Sequence, residues 1–213
     1  MKIKYLAHAS FLLETSQGVR IITDPYEAGG SIKYKPIREK ADIILISHEH
    51  SDHNYTKAIQ GTSTIIRTSG KANVKEIAFN GISTYHDKAL GSQRGKNTVY
   101  TFTADGLAVC FLGDLGHLIT SELKNEIGKI DILLIPVGGF FTIDSEDAEN
   151  VVKTLEPKVV IPMHYKTPSI DFPIAPVDNF LRGKTDIKKV GTTVAEVRLP
   201  ELQEIWVFTP ELL

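Results

Sequence analysis

Short apolar runs separated by turn residues dominate the chain, and they read as strands. Residues 3–14 are β-rich, Ser16-Gln17-Gly18 is a turn, and residues 19–24 read as a second strand. Residues 28–40 carry glycine, lysine and proline and read as loop, whereas residues 42–47 form a continuous apolar run, as in a strand buried on both faces. Further strands are predicted at 63–67, 74–79 and 82–86, and residues 97–103 and 107–113 flank Ala104-Asp105-Gly106 as a hairpin. A helix is predicted over 120–128, with Thr120 or Ser121 as N-cap and Gly128 at its end. A buried strand over 131–137 follows, then a helix over 145–157 with an acidic first turn and a proline stop. The pattern closes with a strand at 158–163, a short helix at 176–183 and a return to strand. Hairpins first, then strands alternating with helices, predict an α/β chain of mixed sheets covered by helices, forming one domain over residues 1–213.

Composition narrows the picture. Of 213 residues, 42% are hydrophobic and 23% charged, enough for a real core, and a formal net charge of −2 provides no global field for nucleic acid or anionic membrane. The single cysteine, Cys110, allows no intrachain disulfide. No stretch approaches the ~20 apolar residues of a membrane span, and the N-terminal residues lack a signal-peptide apolar run. A cytoplasmic protein of unknown oligomeric state, with no nucleic-acid or membrane partner, is the expectation.

The polar residues at strand ends carry the chemistry. Residues 42–47 run directly into His48-Glu49-His50-Ser51-Asp52-His53, which places four potential ligands in six residues. A tight turn there can aim two imidazoles at one metal ion and a carboxylate with a third imidazole at another. Nitrogen and oxygen donors suit Zn²⁺, Fe or Mn²⁺. Asp114 and His164 also follow apolar strands, and His86 ends another. Taken singly, His86 also fits an exposed loop, Asp114 a turn or helix cap, and His164 a strand-end histidine.

The six-residue segment resembles the H-x-H-x-D-H signature of the metallo-β-lactamase superfamily, and the resemblance extends over nearly the whole chain. Asp24 in Thr-Asp-Pro matches the first motif, where the aspartate braces the metal loop. His86 resembles the third-motif ligand, Asp114 in Phe-Leu-Gly-Asp-Leu-Gly the bridging carboxylate, and His164 in Ile-Pro-Met-His-Tyr the last ligand. Within the superfamily the chain is similar to the branch of L-ascorbate-6-phosphate lactonase and its uncharacterised relatives, through Ala7-His8-Ala9-Ser10-Phe11, Arg94-Gly95-Lys96-Asn97-Thr98 and Gly113-Asp114-Leu115-Gly116-His117. The resemblance implies a four-layer αββα sandwich of two mixed sheets flanked by helices. It implies two divalent ions, zinc foremost, with His48, His50 and His86 on the first, Asp52, His53 and His164 on the second, and Asp114 as bridge. His8 and His117 are implied near the cleft, as supports or substrate contacts.

A pair of ions lowers the pKa of bound water from 15.7 toward about 7, so hydroxide attack needs neither a serine nor a cysteine nucleophile. Asp52 and Asp114 are the expected catalytic carboxylates, Asp52 by orienting the nucleophile's proton. Arg94, Lys96 and Asn97 follow His86 on one loop and are candidate donors to an anionic small-molecule substrate, although a solvated basic turn fits Lys96 as well. Gly138-Gly139-Phe140-Phe141 either bring backbone amides and an apolar wall to the cleft or form a tight strand exit. The expected activity is hydrolysis of a small ester, lactone or phosphoester. The alternatives are a nucleic-acid-processing phosphodiesterase, which the charge disfavours, and a metal-binding protein without turnover.

Overall fold

The computed structural model describes residues 1–213. Strands β1 (Lys2–Ala7), β2 (Ser10–Glu14), β3 (Arg20–Thr23), β4 (Ile43–Leu45) and β5 (Thr64–Ile66) pair in chain order, and β13 (Val194–Glu196) adds to the free edge of β1. Pairing is antiparallel from β1 to β3 and parallel from β3 to β5, so this is a mixed sheet. The second sheet runs in the order β12 (Ile187–Lys189), β14 (Glu204–Val207), β11 (Val159–Met163), β10 (Ile132–Pro136), β9 (Leu107–Phe111), β8 (Lys96–Ala104), β7 (Ile77–Tyr85) and β6 (Gly70–Val74). Its β6–β9 half is antiparallel, and its other half is parallel.

Every residue of β10 and β11 is buried, which is why both read as unbroken apolar runs: central parallel strands are covered on both faces. Along β3 and β4 the side chains alternate between two cores. Ile21, Ile43 and Leu45 join a 44-residue cluster shared with the second sheet, while Ile22 and Ile44 join a 14-residue cluster on the opposite face. Helix α1 (Ser121–Ile127) starts at Thr120, whose hydroxyl accepts from the Leu123 N–H, and closes at Gly128. Helix α2 (Ser145–Leu155) is capped by the Asp144 carboxylate and buries Ala148, Val151, Val152 and Leu155, an i, i+3, i+4, i+7 stripe. Phe180 of the short α3 (Val177–Leu181) joins the same large core.

The two mixed sheets and their helical cover agree with the expected sandwich, but the cover is uneven. All three α-helices pack into the large core. The outer face of the first sheet is closed instead by Tyr26, Ile32, Tyr34 and Ile37 from the 25–41 segment and by Ile170 and Ile174. Pro25, Gly29, Gly30 and Pro36 keep that segment from being helical.

Three local expectations are corrected. Residues 3–14 are two strands, reversed at His8-Ala9, with His8 in the left-handed region at φ 57. The expected break near Gly81 does not occur: β7 runs through it, and the reversal lies at Lys75-Glu76, where φ is 52 and 64. That turn lacks the Asn or Gly that usually marks two consecutive positive φ values, so no residue announced it. Helix α2 ends at Leu155 because Glu156, which precedes Pro157, is left-handed at φ 51. No helix is long and apolar enough to cross a membrane.

Candidate metal centre

Strand ends from both sheets converge at one edge of the sandwich. Asp24 follows β3, His48 lies just past β4, His86 follows β7, Asp114 lies just past β9, and His164 follows β11. Backbone hydrogen bonds hold these ends rigid, so they set donor positions more accurately than a free loop would.

The donor atoms of His48, His50 and His86 form one group, and those of His8, Asp52, His53 and His164 another, with the atoms of each group within 4.8 Å of one another. Asp114 Oδ2 lies between the groups, 3.2 Å from His86 Nε2 and 3.3 Å from both His53 Nε2 and His164 Nε2. It is 3.9 Å from His48 Nε2. Asp52 Oδ2 lies 3.3 Å from His53 Nε2.

One buried carboxylate sets the tautomers. Asp24 accepts from the Ser47 N–H at 2.7 Å, from the Ser47 hydroxyl at 2.5 Å and from His53 Nδ1 at 2.8 Å. The Ser47 hydroxyl proton is thereby committed, so its oxygen accepts from His48 Nδ1 at 2.8 Å. With both Nδ1 atoms protonated, His48 and His53 each turn Nε2 toward Asp114 and the opposing imidazoles. Asp24 thus holds the histidine turn from behind, as the resemblance implied.

The electrostatics call for a cation. Asp24, Asp52 and Asp114 are paired only with histidine, with no lysine or arginine within ion-pair distance. Burial would raise the Asp114 carboxyl, but His164 and His53 hold it well below the usual range. Burial, and then His53, push His48 down to about 2, so it stands as a neutral donor. His53 moves the other way: burial disfavours its charge, but Asp114 and Asp52 outweigh burial and raise it well above an ordinary histidine. His48 Nε2, His53 Nε2 and Asp114 Oδ1 are buried without a hydrogen-bond partner. Unpartnered imidazole and carboxylate donors facing one another fit divalent metal ions of the borderline type.

The candidate substrate residues fare differently. Asn97 is buried and its amide is fully engaged, donating to Thr84 Oγ1 at 2.8 Å and the Leu112 carbonyl at 2.9 Å while accepting from the Asp114 N–H at 2.9 Å. Expected at the substrate, it instead positions the Asp114 backbone. His117 is not brought to the cluster: its Nε2 accepts from the Tyr85 N–H, its Nδ1 faces the Leu118 carbonyl, and it lines a separate cavity with Leu118 and Leu123. His8, also expected at the substrate, is 0% exposed and lies beneath Asp52, with Nε2 3.2 Å from Asp52 Oδ2.

Arg94 does reach the cleft rim. It donates to the Phe140 carbonyl at 3.3 Å, and its guanidinium carbon lies 4.6 Å from the centre of the Phe141 ring. Its loop is held by Asp87, whose carboxylate accepts from the backbone N–H groups of Ala89, Gly91, Gln93 and Arg94 at 2.7–3.1 Å. Neither Asp87 nor Ser47 stands out in the sequence, although an aspartate opening a turn-rich loop is the signature of such side-chain-to-backbone capture.

Arg94 and Lys96 share with His48, His50 and Arg67 a cavity of about 460 Å³ that no hydrophobic residue lines. A second cavity of about 470 Å³ opens beside Asp52, between the 27–32 backbone and Phe172. A cavity of about 800 Å³ lies against Phe79, Phe102 and Ile127 and shares no residue with either ligand group.

Two sheets presenting histidine and aspartate at one edge define a metallo-β-lactamase-fold metallohydrolase, and known proteins agree. The β-lactamase superfamily domain matches residues 2–164, and the chain belongs to that superfamily, among its UPF0173 metal-dependent hydrolases. A UPF0173 metal-dependent hydrolase of Pelotomaculum thermopropionicum is 33% identical over 196 residues, spanning 78% of this chain and 85% of the relative. One from Archaeoglobus fulgidus is 30% identical over 208 residues, spanning 84% and 87%. A crystal structure from Thermotoga maritima, assigned to this superfamily as a Zn-dependent hydrolase, superposes with a TM-score of 0.81 at 36% identity, covering 97% of each chain.

Proposed function

We propose that this metal-dependent hydrolase is dinuclear and cleaves a small ester, lactone or phosphoester that carries an anionic group. The observation that carries the reading is the place of Asp114 Oδ2, within 3.2–3.3 Å of His86 on one side and of His53 and His164 on the other. In this reading His48, His50 and His86 hold one ion, Asp52, His53 and His164 hold the other, and Asp114 is shared. Zinc is the first choice, from the nitrogen and oxygen donors and from the zinc dependence ascribed to the Thermotoga relative. Bound there, such ions would supply hydroxide from water at neutral pH and would polarise the carbonyl or phosphoryl group whose carbon or phosphorus is attacked. Asp52 takes the proton of the attacking oxygen and returns it to the leaving group. The cavity beside His48 and His50 receives the anionic group: Arg67, Arg94 and Lys96 offer charged donors there, against the single carboxylate of Glu49. The setting we infer is the cytoplasm, where the lone, buried Cys110 stays a thiol.

Two measurements test this. Protein reconstituted with Zn²⁺ or Mn²⁺ and assayed by elemental analysis should saturate at two ions per chain; one ion overturns the dinuclear reading. Aryl phosphates, phosphodiesters, lactones and thioesters then form the substrate panel, and Arg94→Ala and Arg67→Ala are compared with wild type on it. Each variant should keep both ions and lower kcat/KM on anionic substrates about ten- to a hundredfold, the size of a lost charge-assisted hydrogen bond. An uncharged analogue should be affected much less. Unchanged kcat/KM on anionic substrates removes the anion site and leaves the metal reading standing.

A further inference from the structure

His8 is held in a way that its place in the fold alone does not require. A non-glycine residue in the left-handed region is uncommon, and this one is wholly buried at φ 57 in the β1–β2 turn. The strand register shifts between Tyr5 and Ala7 as the chain enters that turn. The His8 carbonyl accepts two hydrogen bonds, from the Tyr5 hydroxyl and from the His164 N–H, both at 2.9 Å. Its ring lies against that of His164, with centroids 4.2 Å apart, and is edge-on to Phe172 at 5.9 Å. This packing leaves one polar direction open: Nε2 meets Asp52 Oδ2 at 3.2 Å, while Nδ1 is buried with no partner.

That asymmetry decides the proton. A proton on Nδ1 would be a buried donor with nothing to accept it, and Nε2 would then face the Asp52 carboxylate lone pair to lone pair. With the proton on Nε2 the ring donates to Asp52, and only a weak acceptor is left bare. Asp52 needs such an anchor, because its turn is open: Glu49, His50 and Ser51 are all exposed. On an exposed turn a carboxylate would rotate freely, whereas here its Oδ2 is kept 3.3 Å from His53 Nε2.

We infer that His8 is a positioning residue for the second ligand group: its Nε2–H fixes the Asp52 carboxylate beside His53, and its carbonyl fixes the backbone of His164. The inference rests on the assignment of Asp52, His53 and His164 to one ion. The two fail separately, since a wild-type stoichiometry of one ion removes the assignment without any reference to His8.

The test compares His8→Gln, His8→Asn and His8→Ala. A glutamine amide nitrogen reaches about where Nε2 lies; an asparagine amide stops near Nδ1, yet asparagine tolerates the left-handed backbone well. If His8 serves only the turn, asparagine should be the better replacement. As a positioning residue, His8→Gln should hold the second Zn²⁺ within about threefold of wild type, and His8→Asn and His8→Ala should lose roughly ten- to a hundredfold in its affinity, as when a ligand's hydrogen-bond partner is removed. The first Zn²⁺ should bind unchanged in all three. In Co²⁺-substituted protein the visible bands of the second ion should be preserved in His8→Gln and altered in His8→Asn.

Asparagine matching or exceeding glutamine overturns the inference. So does glutamine failing as badly as alanine, which would make His8 a ligand in its own right. A check that needs no variant is the long-range ¹H–¹⁵N spectrum of the zinc-loaded wild type. It should show His8 protonated on Nε2 and bare on Nδ1, and a bare Nε2 overturns the inference even if every variant fails to fold.

Discussion

If the centre is dinuclear as proposed, Asp114→Ala should empty at least one of its two ion positions and abolish nearly all turnover while leaving a folded protein. Its Oδ2 is the one anionic atom within 3.3 Å of imidazoles from both ligand groups, and without it His53, His86 and His164 face one another with no charge between them. Removing only a hydrogen-bond partner of a ligand typically lowers metal affinity or activity by about 10–100-fold, so losing a shared ligand should exceed about 100-fold. Elemental analysis and hydrolysis by the reconstituted variant give the two readouts, and circular dichroism confirms the fold. A variant that keeps two ions and more than about a tenth of wild-type turnover would remove Asp114 from the shared position.

Gly113→Ala should destabilise the protein severely although it changes no ligand. Gly113 has φ 54, and a Cβ there would lie 2.4 Å from the Ser47 Cβ and 2.6 Å from Asn97 Oδ1. Neither neighbour can retreat, because Ser47 is tied to Asp24 and His48, and Asn97 carries the Asp114 N–H. Left-handed strain of about 1–2 kcal/mol and overpacking of about 1–3 kcal/mol together give roughly 3 kcal/mol. For a chain of this length that is a fall of about 6–12 °C in Tm, measured on metal-free protein by calorimetry. Metal should also bind more weakly, because the backbone of Asp114, the proposed shared ligand, is displaced. A Tm within about 2 °C of wild type would show that the turn relaxes easily, contrary to this account.

His8 shows how a motif can point to the cleft without deciding between a support and a substrate contact. Its neighbourhood in the sequence pointed to the cleft, but the hairpin that buries it depends on a turn with no turn-type residue except His8 itself. Asn97 reads as a substrate donor, and its amide is instead consumed by Thr84, Leu112 and Asp114, because a polar residue after His86 is indistinguishable in sequence from one that faces a substrate. Arg67 drew no attention at all: it follows the edge strand β5, and only the packing of the two sheets brings it to the cavity of Arg94 and His48.

The chain's own pattern determined the strands, because continuous apolar runs such as 42–47, 131–137 and 158–163 have no other way to bury both faces. It also determined the donor set, because donors such as His48, Asp114 and His164 are placed at or just past strand ends, which is a local property. Tertiary structure decided the rest. Asp24 and Ser47 are 23 residues apart and His8 and Asp52 44 apart, and their hydrogen bonds exist only once β1 to β4 are assembled into one sheet. Which imidazole nitrogen is free and which polar side chain is consumed internally follow from those long-range bonds. Hydrophobic periodicity constrains residues only through their neighbours along the chain, and it carries no information about a partner on another strand.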